Sequence, residues 1–140
     1  MSGKTFIDSN ILIYANDLDA GAKYRKAADT LESLWDLNLG VLSTQVLQEF
    51  YVNVTRKIAR PLPRKSARAI VEAYAVWCVD VSPADVTAAF RIEDEARIGF
   101  WDALIVASAL KAGAERILSE DLNPGQRILG IRIENPFAGK

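Results

Sequence analysis

The chain has 140 residues, 50% hydrophobic and 25% charged, with a formal net charge of −1; this fits one ordinary globular domain over residues 1–140 and excludes a strongly basic nucleic-acid coat. Histidine is absent and cysteine occurs once, which removes Ser-His-Asp and Cys-His triads, imidazole-ligated transition metals and any internal disulfide. No apolar run approaches the roughly 20 residues that span a bilayer, and "MSGKTFIDSNILIYAND" reaches an aspartate too early for a signal peptide, so a cytoplasmic location without a membrane partner is expected.

In chain order, "KTFI" reads as a short first strand and "SNILIYAN" as a short helix with Ser9 or Asn10 near its cap. "GAKYRKAADTLESLWDLN" has the periodicity of an amphipathic helix, and "GVLS" that of a second strand. Residues 44 to 59 and 64 to 76 read as two helices separated by the breaker "RPLP". "WCVDV" is a third strand, in which Cys78 serves as a small buried hydrophobe. "SPADVTAAFRIEDEARI" begins a helix with Ser82 as cap and Pro83 at its first position. "GFWDALIVASAL" is a further helix, "ERILS" a fourth strand and "IRIEN" a fifth. Alternating strands and helices predict an α/β fold, with a central, mostly parallel sheet of four to five short strands flanked by helices.

Ligands of such sheets bind beyond the carboxyl ends of the strands. Asp8 follows "TFI" and Asp121 follows "ILSE". Each alone is compatible with an ordinary turn residue. Asp102 is the one ionisable side chain in "GFWDALIVASAL", and its neighbours at plus three, plus four and plus seven are Ile105, Val106 and Ala109. A carboxylate in so apolar a helix needs a cap, a cationic partner or a metal; first-turn placement makes the helix dipole one candidate. Glu49 is the sole acid between Asp36 and Glu72, and pairing with Arg56 or Lys57 is its bland explanation. Gathered together, the four repel unless a cation is present, and a set of oxygen donors suits a hard divalent ion. The "EDE" run at 93–95 points around its helix and reads as a solvated face.

Four segments, "FIDSNILIYA", "LSTQVLQEFYVNVTRK", "GFWDALIVASALKAGAERILSEDLNPGQ" and "IENPF", together resemble the PIN-domain ribonucleases, and within them the VapC-type toxins of type II toxin-antitoxin systems. The resemblance implies a PIN-like fold and a metal-dependent endoribonuclease, with Asp8, Glu49, Asp102 and Asp121 forming an acidic pocket around Mg²⁺ or Mn²⁺. It places Asn10 and Ser119 at polar positions supporting that pocket. An RNA substrate, a cognate antitoxin and a homodimer are the implied partners. Arg56, Lys57, Arg60, Arg64, Lys65 and Arg68 form a basic run without an acid, expected to hold RNA phosphates. Trp35, Trp77 and Trp101 are expected to pack, although Trp101, beside Asp102, is the one placed to stack on a base.

Two other readings start from the same residues. Haloacid dehalogenase-like phosphatases also place an aspartate after a first apolar strand, but their second aspartate is Asn10 here. A non-catalytic RNA- or partner-binding α/β domain needs only that the acids be separate caps and turns.

Overall fold

A computed structural model describes residues 3–138. Its elements are β1 (Thr5–Ile7), α1 (Ser9–Tyr14), α2 (Ala22–Leu37), β2 (Gly40–Ser43), α3 (Thr44–Arg56), α4 (Arg64–Tyr74), β3 (Cys78–Val79), α5 (Pro83–Ala96), α6 (Phe100–Ala112), β4 (Arg116–Leu118), β5 (Arg127–Ile128) and β6 (Ile131–Glu134). The strands form one sheet in the order β3-β2-β1-β4-β6-β5. Every pairing is parallel except the β5–β6 hairpin.

The expected α/β architecture is present, with one strand more than the four to five predicted. The additional strand, β5, is only two residues long and reaches β6 through Leu129 and Gly130, both at positive φ. Leucine is an uncommon residue in that conformation, so no Asn-Gly or Asp-Gly signal announces the turn. Two further boundaries differ. "WCVDV" contributes only Cys78–Val79 to the sheet, because Trp77 completes a short 3-10 turn over Ala75–Trp77. The first helix is capped by Asp8, not by Ser9 or Asn10: Asp8 is extended (φ −74, ψ 162) and its carboxylate accepts the Ser9 N–H. Ser82 and Pro83 do occupy the cap and first position of α5, where Ser82 and Asp85 exchange hydrogen bonds in a capping box.

β1 is buried at every residue, as a central parallel strand requires. Helices α1 to α4 pack on one another, α5 packs on α6, and α6 lies against β2, β3 and β4. Residues Ala103 to Ala109 of α6 are all buried. Gly40 opens β2 because a Cβ there would come within 2.5 Å of the Trp77 ring, whose residue is only 6% exposed.

The other aromatic expectations divide. Trp77 is core, whereas Trp35 is 46% exposed, resting on Tyr74 and Trp77 from the surface. Trp101 is 65% exposed and lies outside the core, touching Phe100 edge-on. Cys78 is half-buried; burial pushes its thiol above the ordinary range, against a weak contact from Thr44. Among the described residues, no helix is long and apolar enough to cross a membrane.

Candidate functional site

The sheet order reverses beside β1. The chain runs outward through β2 and β3 on one side, and through β4 and β6 on the other. The carboxyl ends of β1 and β4 therefore flank a topological switch point, where a crevice is expected. Asp8 stands at the end of β1 and Ser119 at the end of β4. Ser119 Oγ donates to Asp8 Oδ2 at 2.7 Å, and the Asp8 N–H donates to the Leu118 carbonyl at 3.0 Å. The loop after β4 is sewn to α1 by two further bonds: Asn10 Nδ2 donates to Asp121 Oδ2 at 3.2 Å, and the Glu120 N–H donates to Asn10 Oδ1 at 3.2 Å. Glu120 is fixed in turn by the Tyr14 hydroxyl at 2.5 Å and by Lys23.

Over this crevice lies an open cleft of about 520 Å³, lined by Asp8, Glu49, Asp102 and Asp121. The four carboxylates predicted from sequence thus share one cleft, contributed by the β1 end, α3, α6 and the post-β4 loop. One wall is a stripe of α3: Gln45, Gln48, Glu49, Val52 and Asn53, with Lys57 just past the helix end. Those positions fall on one helical face by their spacing of three and four. The other wall is the first two turns of α6, through Trp101, Asp102 and Ile105.

The electrostatics are those of crowded acids. Asp8 is 4% exposed. Burial pushes its carboxyl up to about 6, against hydrogen bonds from Ser119 and Ser9, with the nearby charges of Glu49 and Asp121 adding to the rise. Asp102 is likewise raised, first by burial and then by Asp121 and Glu49. Asp102 lies in the first turn of α6, where the helix dipole favours a carboxylate, and the same placement sets it in the cleft. The pairing of Glu49 with Arg56 or Lys57 is not found; its carboxylate accepts instead from Gln45 Nε2 at 3.2 Å. None of the ion pairs among the described residues includes any of the four acids.

This donor set fits a hard divalent cation in chemistry: the four acids offer oxygen ligands only and outnumber Lys57, the one cation of the lining among the described residues. No three carboxylates or thiols among the described residues are grouped tightly enough to hold an ion together. Mg²⁺ is usually held by one or two protein carboxylates, with waters and substrate phosphate filling its octahedron, so the cleft does not need a three-carboxylate grip.

The basic run is dispersed. All six of its residues are exposed, but only Lys57 lines the cleft. Arg60 makes a two-pronged pair with Asp19, at 2.9 Å on each prong, and Arg68 rests on Tyr51. The "RPLP" turn carries the chain away from the stripe that Glu49 begins. Gln45, Gln48, Val52 and Asn53 also line the cleft, although nothing in their residue types singles them out in the sequence; stepping four residues back and three and four residues on from Glu49 finds all of them but Gln48.

Fold and site together define a small α/β domain with an acidic cleft at the switch point of its sheet. The PIN domain family model matches residues 5–126, and the chain belongs to that family. Among solved structures, it is similar to a toxin-antitoxin complex from Klebsiella pneumoniae, at 20% identity and TM-score 0.69 over 96% of this chain and 98% of that one. It is also similar to DNA-bound VapBC from Salmonella typhimurium, at 21% identity and TM-score 0.65 over 95% and 98% of the two chains. A third likeness is to the sarcin-ricin loop cleaving VapC toxin of Mycobacterium tuberculosis, at 17% identity and TM-score 0.59 over 81% and 87%. No curated protein sequence matches the chain.

Proposed function

We propose that the protein is a metal-dependent endoribonuclease and the toxin of a toxin-antitoxin pair. The observation that carries this reading is the convergence of Asp8, Glu49, Asp102 and Asp121 on one cleft in which, among the described residues, no lysine or arginine forms an ion pair with them. Asp8, Asp102 and Asp121 would fix Mg²⁺ or Mn²⁺, one or two of them directly and the rest through its waters, and Glu49 would ligate it or orient the attacking water. A bound ion of this kind supplies an activated water and offsets charge developing on phosphoryl oxygens. Ser119 and Asn10 hold Asp8 and Asp121 in place from behind. No covalent intermediate is required.

The toxin role is supported by the solved complexes of similar fold, which include toxin-antitoxin assemblies and an RNA-cleaving toxin. A cognate antitoxin and a second copy of the chain are the partners this reading brings. A phosphatase of the haloacid dehalogenase type is disfavoured, because Asn10, in place of a general acid, is engaged with Asp121 and Glu120.

The test combines binding and cleavage. Asp8→Asn and Asp102→Asn, singly and together, are expected to weaken Mn²⁺ binding in calorimetry and to abolish cleavage of a mixed RNA pool. Unchanged ion affinity and unchanged cleavage in the double variant sink the nuclease reading. Expression of the chain alone is expected to arrest growth, with relief by Asp8→Ala; normal growth with the unmutated chain counts against the toxin role.

A further inference from the structure

We infer that Trp101 is a base-stacking platform, taking an unpaired nucleobase of an RNA strand whose phosphate lies over the neighbouring carboxylates. The inference rests on the nuclease reading and names the form of substrate that the same cleft selects.

Four observations lead there. First, a tryptophan normally buries a large apolar surface, yet Trp101 is 65% exposed and lines the acidic cleft directly beside Asp102. Second, the indole is supported. Phe100 packs against it edge-on at 5.1 Å, and Phe90 lies beside Phe100 at 5.8 Å, so the ring is backed by aromatic neighbours while most of its surface remains open.

Third, its backbone is held by a side chain with no alternative orientation. Gln45 Nε2 donates both to the Trp101 carbonyl at 3.3 Å and to Glu49 Oε2 at 3.2 Å. Turning the amide over would set its oxygen against two acceptors, so the nitrogen must face them. Gln45 thus ties the wall carrying Glu49 to the turn carrying Trp101 and Asp102.

Fourth, the facing wall is suited to a nucleotide. Val52, itself exposed, offers an apolar surface across from the indole, and Lys57 is the one cation lining the cleft among the described residues. Glu49, Asn53 and Lys57 are spaced by four along α3 and its end, so the lysine lies about 12 Å along the helix axis from the acid. A strand following this stripe has one phosphate at the acids, another near Lys57 and a base against Trp101. Bases present an open face only when unpaired, so the platform selects single-stranded segments.

The experiment uses a short single-stranded RNA with one mapped cleavage site and a panel carrying an abasic nucleotide at each flanking position. With the unmutated protein, one abasic position next to the cleavage site is expected to raise KM about 5- to 150-fold. Trp101→Ala is expected to raise KM for the intact RNA by a similar factor, to show no further penalty at that position, and to leave kcat nearly unchanged. Trp101→Phe, which retains a smaller ring and guards against misfolding of the alanine variant, is expected to fall between. The inference is overturned if Trp101→Ala keeps the original KM or the same abasic penalty. It is also overturned if sedimentation shows that this variant loses a dimer while RNA recognition is unaltered. Should the unmutated protein cleave no RNA, the nuclease reading fails separately; anisotropy of a labelled single strand then tests stacking alone, and equal affinity of both proteins overturns it.

Discussion

Ser119 Oγ donates to Asp8 Oδ2 across 2.7 Å, joining residues 111 apart in the chain. The same oxygen accepts the Asp121 N–H at 3.1 Å. One hydroxyl therefore registers the end of β1 against the loop that follows β4. Ser119→Ala removes a bond that lowers the Asp8 pKa and strands a backbone donor. The variant is expected to lose about 1–2 kcal/mol of stability and to raise the Asp8 pKa above about 6, as followed by carboxyl-carbon NMR. An unchanged Asp8 titration would refute this.

Asp8 also makes stability depend on pH in an unusual direction for a carboxylate. Its pKa moves from 3.8 to about 6 on folding, so the folded chain holds the proton more tightly than the unfolded one. Below about pH 4 both forms are protonated and ionisation carries no penalty. As pH rises through 6, the folded form must accommodate a buried charge, which removes about 3 kcal/mol of stability. In chelator, Asp8→Asn is expected to be the more stable protein above pH 7, with the advantage vanishing near pH 4. Denaturant melts across that range provide the check; parallel curves for the two proteins contradict it.

Divalent ions should reverse that penalty. Mn²⁺ at about 100 times its dissociation constant is expected to stabilise the protein by about 2.7 kcal/mol, seen as a rise in Tm that chelator removes. The rise should be absent in Asp8→Asn combined with Asp102→Asn. A shift of the same size in the double variant would move the ion to another part of the molecule.

The dispersed basic residues make a graded prediction. Lys57→Ala should lower RNA affinity and reduce the slope of log affinity against log salt by about one contact. Arg60→Ala, whose guanidinium is engaged by Asp19 at the surface, should have a smaller effect on the slope and little effect on stability. Equal effects on the salt slope would return Arg60 to the RNA path.

Gly40 tests the packing beneath the site. A methyl group there meets the Trp77 ring at 2.5 Å, and Gly40→Ala is expected to cost about 1–3 kcal/mol. Combining it with Trp77→Leu should cost less than the sum of the two changes. Strict additivity in denaturant unfolding would show that the ring yields without strain.

The alternation of strands and helices and the Ser82–Pro83 helix start are legible in the sequence because each rests on local chemistry or on spacing within one element, whereas the four acids, on four different elements, are drawn together only by the resemblance to the family. Glu49 illustrates where legibility stops. Its position in an acid-poor helix is visible, but its partner Gln45 is not, because neither residue type demands the other. Trp101 departs from expectation for a related reason: an aromatic beside apolar helix residues ordinarily packs, and its 65% exposure depends on what the fold places around it. β5 escapes notice because Leu129 adopts a backbone conformation its side chain does not favour. The basic run is visible as composition, but its scattering depends on Asp19 and Tyr51, which lie outside it.

The bonds that close the crevice join partners 110 and 111 positions apart. During synthesis, therefore, a ribosome must release everything up to the loop beyond β4 before the first aspartate meets its counterpart. A nascent or prematurely terminated chain that stops short of that loop lacks Asp121 and carries the other three acids without the bonds that close the crevice.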